Sequence, residues 1–195
     1  MATTATPMGA EPVNTLSASG SYSGKVRHIK IASAYGTAIF YGDFVKVVSS
    51  GTIERAAVTT AVVAGTIGIF VGCSYTDPNS NQLTFNQQFP ASTAASDIMA
   101  YVVDDPKLVF RMQGDEAIAQ TGLGNNVSAV NTAGSTSIGR SKNALDGGSI
   151  ATTNTLPLRV LEFVDGPTSS VGDTYTDCLV TYLPLSHAYE TKLGV

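Results

Sequence analysis

The most apolar stretch of this chain, Ala56 to Gly72, is interrupted by Thr59, Thr60, Gly65, Thr66 and Gly68. Crossing a bilayer takes about 20 consecutive apolar residues, so this stretch is too short and too broken to span one. It reads as two adjoining buried strands. The segment before it behaves the same way. Arg27, Ile29 and Ile31 share one parity while Val26, His28 and Lys30 share the other, the alternation of a half-buried strand with its isoleucine face inward. Ala38 to Tyr41 and Phe44 to Val48 flank Gly42-Asp43, a dipeptide suited to a reverse turn, which predicts a β-hairpin or a bent strand.

Strand patterning continues downstream. Asp77-Pro78-Asn79-Ser80-Asn81 is a turn by its chemistry, because proline fixes one dihedral and asparagine tolerates left-handed backbone. Leu83, Phe85 and Phe89 among glutamines predict a strand with an irregular end at Pro90, and Ile98 to Val103 another, closed by Asp104-Asp105-Pro106. Leu108 to Met112 continues the sheet, and Leu156 to Val164 and Cys178 to Leu185 return to the same pattern around an Asp165-Gly166-Pro167 turn. Asp115 to Thr121 is the best helix candidate, with acids at its start and Gly122 past its end. Gly122 to Thr155, dense in Gly, Ser, Asn and Thr, reads as a long loop or a small insertion. Residues 1–24 hold few sizeable apolar groups, chiefly Val13, Leu16 and Tyr22, and they read as an extended arm, either disordered or ordered on a neighbouring subunit.

The expected architecture is therefore all-β: a small barrel or sandwich over residues 25–195, with an N-terminal arm at 1–24 and a loop-rich insertion at about 113–156 carrying one short helix. The 19 glycines, the absence of Trp and the abundance of Thr, Val and Ala agree with strands and tight turns. Charged residues make up 13% of the chain, against about a quarter in an average soluble domain. With a net charge of -4 and a pI near 5.0, the surface suits neither a phosphate backbone nor long-range steering. No nucleic-acid partner and no membrane are expected. Cys73 and Cys178 form neither a disulfide framework nor a metal pair, and they read as buried, reduced thiols of a protein made in a cytosol. The N-terminus lacks the basic start and apolar stretch of a signal peptide.

Material for catalysis is scarce. His28 and His187 are the two histidines, so a Ser/His/Asp relay or a multi-histidine metal site has little to draw on. Asp104-Asp105 and Asp115-Glu116 are carboxylate pairs, but strand neighbours point to opposite faces and acids at a helix start serve its dipole. Asp77 to Asn81 begins like a calcium loop, yet Gln82 stands where the sharp glycine turn is needed and Gln88 where the bidentate acid belongs. Gly122-Leu123-Gly124 lacks the spacing of a nucleotide fingerprint, and Asn126-Val127-Ser128 is a sequon of the kind chance supplies. No catalytic, cofactor-binding or metal-ligating residue is assigned, and no cofactor.

One resemblance goes further. Val102-Val103-Asp104-Asp105-Pro106, then Leu108-Val109-Phe110-Arg111-Met112-Gln113, Gly122-Leu123-Gly124-Asn125-Asn126 and Gly134-Ser135-Thr136-Ser137-Ile138-Gly139-Arg140-Ser141 follow one another in order. Ala144-Leu145-Asp146, Thr153-Asn154-Thr155-Leu156-Pro157-Leu158-Arg159-Val160-Leu161, Leu179-Val180-Thr181-Tyr182 and His187-Ala188-Tyr189 complete the series. Across roughly its C-terminal half the chain resembles the head decoration, or cement, proteins of tailed phages. Residues 25–75 match only as a generic small β-barrel, and the pattern departs from the family at Arg111-Met112 and at Leu183-Pro184-Leu185-Ser186.

The resemblance implies a non-enzymatic virion protein on the outer surface of the capsid, made in the host cytoplasm. Its implied partners are the major capsid protein and further copies of itself, as a trimer or dimer. Two other classes stand beside it: a virion-surface module binding a host receptor or glycan, and a small hydrolase with its site in Gly122 to Thr155. That segment contains no Phe, Tyr or Trp for a receptor, and no His, Glu or Lys other than Lys142 to act as a base.

Overall fold

The computed structural model describes residues 4–17, 24–59 and 65–191. In chain order the strands are β1 (Glu11–Thr15), β2 (Arg27–Lys30), β3 (Phe44–Val47), β4 (Ile53–Arg55), β5 (Thr66–Thr76) and β6 (Leu83–Asn86). They continue with β7 (Met99–Val103), β8 (Leu108–Gln113), β9 (Asn126–Val130), β10 (Ala144–Ala151), β11 (Leu158–Phe163) and β12 (Asp177–Tyr182). The protein is all-β, as the alternation predicts. One antiparallel sheet runs β1-β8-β12-β11-β9-β10, and the second runs β2-β7-β5-β3-β4 with β6 paired to the far half of β5.

Strand parity divides the apolar residues between two cores. Phe44, Ile69 and Val103 of the second sheet face Leu108, Phe110, Met112, Val127, Leu158, Val160, Val180 and Tyr182 of the first, which makes a sandwich. Phe44 and Phe110 meet edge to face with centroids 5.7 Å apart, and Tyr182 adds a third ring to that cluster. The opposite face of the second sheet holds Val45, Ile67, Phe70, Cys73, Ala100 and Val102, covered by Ile31, Ile39, Phe89 and Ile98. That sheet curls until Ile31 forms one bridge to Ile53, but its ladder does not close into a barrel.

β5 serves both cores because its register shifts twice. Opposite β3 it slips between Val45 and Lys46, and opposite β7 it slips between Phe70 and Gly72. Each shift is a bulge, which re-aims the side chains that follow it. Gly68 and Gly72 both have φ of 149°, and a Cβ on Gly68 would lie 2.0 Å from the Val103 carbonyl oxygen. Only glycine fits there.

A buried carboxylate joins the two sheets. Asp43 enters β3 fully buried, and its Oδ1 accepts from Ser141 Oγ at 2.6 Å and Asn143 Nδ2 at 3.2 Å, both on the segment that leads into β10. Its Oδ2 accepts from the Phe40 N–H at 2.9 Å and lies 2.9 Å from Arg55 Nε of β4. Arg55 Nη2 also reaches Asp43 Oδ1 at 3.2 Å and the Thr132 carbonyl at 2.5 Å.

Three expectations are corrected. Residues 4–17 are no free arm: Glu11 pairs with Arg111 and Thr15 with Leu108, so β1 is an edge strand and Ala10 is core. Residues 1–3 and 18–23 lie outside the described residues. The folded unit therefore starts before residue 25. Nor is 113–156 an insertion, since β9 pairs with both β10 and β11 and places Val127 and Ala129 in the core, with Leu145 of β10 beside them. The helix expected at Asp115 to Thr121 is absent. The Asp115 N–H bonds to the Leu145 carbonyl, its carboxylate accepts from the Gly147 N–H, and only a 3-10 turn at Gln120–Gly122 forms. Seven residues without a cap cannot hold a helix against a sheet edge that offers partners and a pocket for Ile118. At Gly42-Asp43 the bend, rather than the hairpin, is the form present, since Ile39 bridges to Phe89 and Tyr41 to Arg140.

Gly68→Ala should lower stability by about 3 kcal/mol, through the clash with Val103 and the strained φ. Denaturant unfolding checks this. Gly51→Ala, a surface position with positive φ and open space around it, provides the strain-only comparison and should cost about 1 kcal/mol.

Candidate functional surfaces

The residues with catalytic potential are separated from one another and already engaged. His28 is exposed on β2 and packs its ring against Tyr101 with centroids 4.6 Å apart. His187 is fully buried in the C-terminal segment beyond β12. Its Nε2 is 2.8 Å from the Ile67 carbonyl, its Nδ1 accepts from the Tyr189 N–H at 3.3 Å, and the rings of Tyr182 and Tyr189 enclose it. An Nδ1 that accepts carries no proton, so the ring is the neutral Nε2–H tautomer. Asp104 accepts from Arg27 Nη1 at 3.0 Å and from Tyr189 Oη at 2.9 Å. Asp105 accepts from Thr15 Oγ1 at 2.8 Å and from the Lys107 N–H at 2.8 Å. These contacts tie both terminal segments to the β7–β8 turn.

The remaining motifs resolve similarly. Asp77 Oδ1 accepts from the Asn79 N–H at 2.7 Å and Asn81 has φ of 55°, so this loop is a turn closed by its own first acid. Asn126 is buried, donating to the Thr153 carbonyl at 2.7 Å and accepting from Arg159 Nε at 3.1 Å, which makes the sequon a structural position. Asp115 and Glu116 do meet a third acid, Asp146, with one oxygen of each within 4.8 Å of the others. Sequence spacing did not bring Asp146 into that group. The three are solvent-facing or half-buried, Asp115 accepts from Gly147 and Asp146 from Ser128 Oγ. A cleft of about 240 Å³ beside β1 and β8 has its charges paired too, Arg111 with Asp177 and Glu11 with Arg140.

Burial governs the titrating groups of the interior. It pushes the Cys73 thiol up to about 12, and that thiol donates to the Gln88 carbonyl at 3.4 Å. Burial, with the Asp177 carboxylate adding to it, does the same to Cys178, likewise up to about 12. Both cysteines are free and buried, as the sequence predicts. Burial raises the Asp43 carboxyl against the pull of Ser141, the Phe40 N–H and Arg55. It lowers His187, against the Ile67 carbonyl and the acids Asp104, Glu190 and Asp105.

Among the described residues, large apolar side chains are exposed near one another in sequence along the N-terminal edge and on β6. Along the N-terminal edge, Met8, Val13 and Leu16 are exposed on and beside β1. On the second sheet, β6 returns from the Asp77 turn with Leu83 61% and Phe85 69% exposed on one face, Thr84 and Asn86 on the other. From Pro78 to Ser96 the chain has no charged side chain. Sequence patterning grouped Leu83 and Phe85 with Phe89, which is core. Nothing in the sequence separates the three, because all of them lie in the same charge-free run. Among the described residues, no helix is long and apolar enough to cross a membrane. Comparison with protein-family models, with curated proteins and with solved structures finds no match.

Two outcomes follow from the interior. Native Cys73 and Cys178 should label slowly with a thiol reagent near neutral pH, and both should label fully in denaturant without reductant; fast native labelling of either would contradict its burial. His187 is held neutral when folded, so below its ordinary value of 6.5 the unfolded chain takes up a proton that the folded one refuses. Stability should therefore fall as pH drops from about 6.5 toward the lowered folded value. His187→Phe should be less stable at pH 8 yet lose less between pH 7 and pH 5, and parallel thermal-midpoint curves for the two proteins would refute the assignment.

Proposed function

We propose that this protein is a non-enzymatic phage capsid decoration protein that binds the shell built by the major capsid protein and braces it. The observation that carries the reading is the exposure of Met8, Val13 and Leu16, on and beside an edge strand that is anchored by Ala10 in the core and by Thr15 on Asp105. Apolar groups exposed beside a paired strand gain from being covered by a partner at less ordering cost than groups on a loop. Pro12 and the bulge between Pro12 and Asn14 discourage strand pairing at this edge, so the contact to the shell runs through side chains. The family resemblance along the C-terminal half supports the same reading.

A shell repeats its binding site many times. Modest affinity per site then accumulates into a large stabilisation of the whole particle, and a surface of few charges keeps the contact insensitive to salt.

Co-sedimentation with purified shells tests this. The protein should pellet with shells of the major capsid protein over a wide salt range and should not retard DNA in a gel. Val13→Asp combined with Leu16→Asp should weaken shell binding about tenfold or more while leaving the thermal midpoint nearly unchanged, since both side chains are exposed. Undiminished pelleting of that variant would overturn the assignment of this edge, and salt-sensitive DNA retention without shell binding would overturn the function.

A further inference from the structure

A sheet edge with unpaired backbone groups is a template for another strand unless something blocks it. Among the described residues most edges of this molecule are blocked. β1 has Pro12 and a bulge. β10 begins under Gly114 and Asp115, which bond to Leu145. β2 carries Arg27, His28 and Lys30, and β4 carries Glu54 and Arg55 and touches Ile31. The exception is β6: its four residues, Leu83, Thr84, Phe85 and Asn86, include no proline and no charge, and its ladder with β5 shows no register shift.

We propose that the free edge of β6 pairs antiparallel with the β6 edge of a second copy of this chain, making a two-fold dimer through a continuous sheet. Charge is the first argument for that occupant. The chain carries a net charge of -4, so two copies repel, and they approach at least cost where neither presents an ionised group. The stretch Pro78 to Ser96 meets that condition, and the acids that bound it are turned to their own chain: Asp77 accepts from Asn79, and Asp97 from the Thr76 N–H and hydroxyl.

Parity is the second argument. In an antiparallel pair, directly opposed residues project on the same face, so a two-fold axis through Thr84 sets Leu83 against Phe85 of the other copy, and Phe85 against Leu83. Four side chains that are 61% and 69% exposed in the monomer then cover one another on one face, while the two Thr84 side chains meet on the other. The contact is isologous, so pairing stops at two. A four-residue strand buries less than the roughly 1,200–2,000 Å² of a standard interface. The dimer should therefore dissociate in the micromolar range, about 10–100 µM.

Sedimentation velocity on the full chain, from about 1 to 300 µM and without any shell present, reads the equilibrium directly. The expected result is a concentration-dependent shift from monomer to dimer. Phe85→Lys should abolish that shift with an unchanged thermal midpoint. Thr84→Cys should form a disulfide-linked dimer on mild oxidation, because directly opposed residues lie about 4.5–5.5 Å apart between Cα atoms, within disulfide reach. Leu83→Cys places its two thiols out of reach across the axis and should not cross-link. A chain that stays monomeric throughout overturns the proposal, as does a dimer that survives Phe85→Lys or fails to link at 84. A monomer whose Phe85→Lys variant loses shell binding would assign this edge to the capsid instead.

Discussion

The Asp43 carboxylate is the point on which the relation between the two sheets depends. Apolar faces that pack against each other specify contact but tolerate sliding, since one methyl resembles another. Hydrogen bonds do not tolerate it. Asp43 receives Ser141 and Asn143 from the approach to β10, Arg55 from β4 and the Phe40 N–H from its own bend, and Asn143 Oδ1 in turn accepts from the Thr132 N–H and from Arg55. A carboxylate taken out of water needs these partners, because an ion left unpaired in the interior costs several kcal/mol, about 3–5 when one member of a buried pair is removed. In a chain whose charged residues are 13% of the total, an ion pair whose carboxylate is fully buried is a marked use of them. It turns a slippery interface into a registered one.

Once the sheets are registered, β5 can divide its side chains between the two cores. Its bulges at Gly68 and Gly72 interrupt strict alternation, so Ile67 and Phe70 serve one core while Ile69 serves the other. The close passage of Gly68 against Val103 draws β7 tightly onto β5, and the C-terminal segment locks the same place from outside through His187 and the Ile67 carbonyl. The surfaces are held by this frame: β6 extends from the far end of β5, and β1 lies along β8.

The all-β class was legible in the alternation of residues 25–31 and in the turn chemistry at Asp77 and Asp165, because those signals are local. The cysteines were legible for the same reason, each lying within an apolar run. What escaped the sequence was settled by partners distant along the chain. β1 contains one proline and one charge and has no core of its own; it is a strand because β8 offers it a ladder about a hundred residues later. β9 and β10 set Val127, Val130, Leu145 and Ile150 among Asn, Ser, Ala, Asp and Gly, whose small side chains blur the alternation, and polar groups there are satisfied by Thr153, Arg159 and Ser149. Asp115 to Thr121 has helical composition, but the edge at Leu145 outbids it. The exposure of Leu83 and Phe85 was invisible for the complementary reason. A strand with nothing beyond it reads the same as one that is covered.

The order of the first sheet also decides how the molecule bears a pull on its ends. β1 and β12 both run antiparallel to β8, which lies between them, so they run parallel to each other. Tension that draws the start of β1 away from the end of β12 therefore acts along the strands, across hydrogen bonds that lie perpendicular to it. The bonds of each ladder share the load and must fail together, where a hairpin opened from its tip would give them up one at a time. β1, β8 and β12 thus form a shear clamp against a pull directed along β1 and β12.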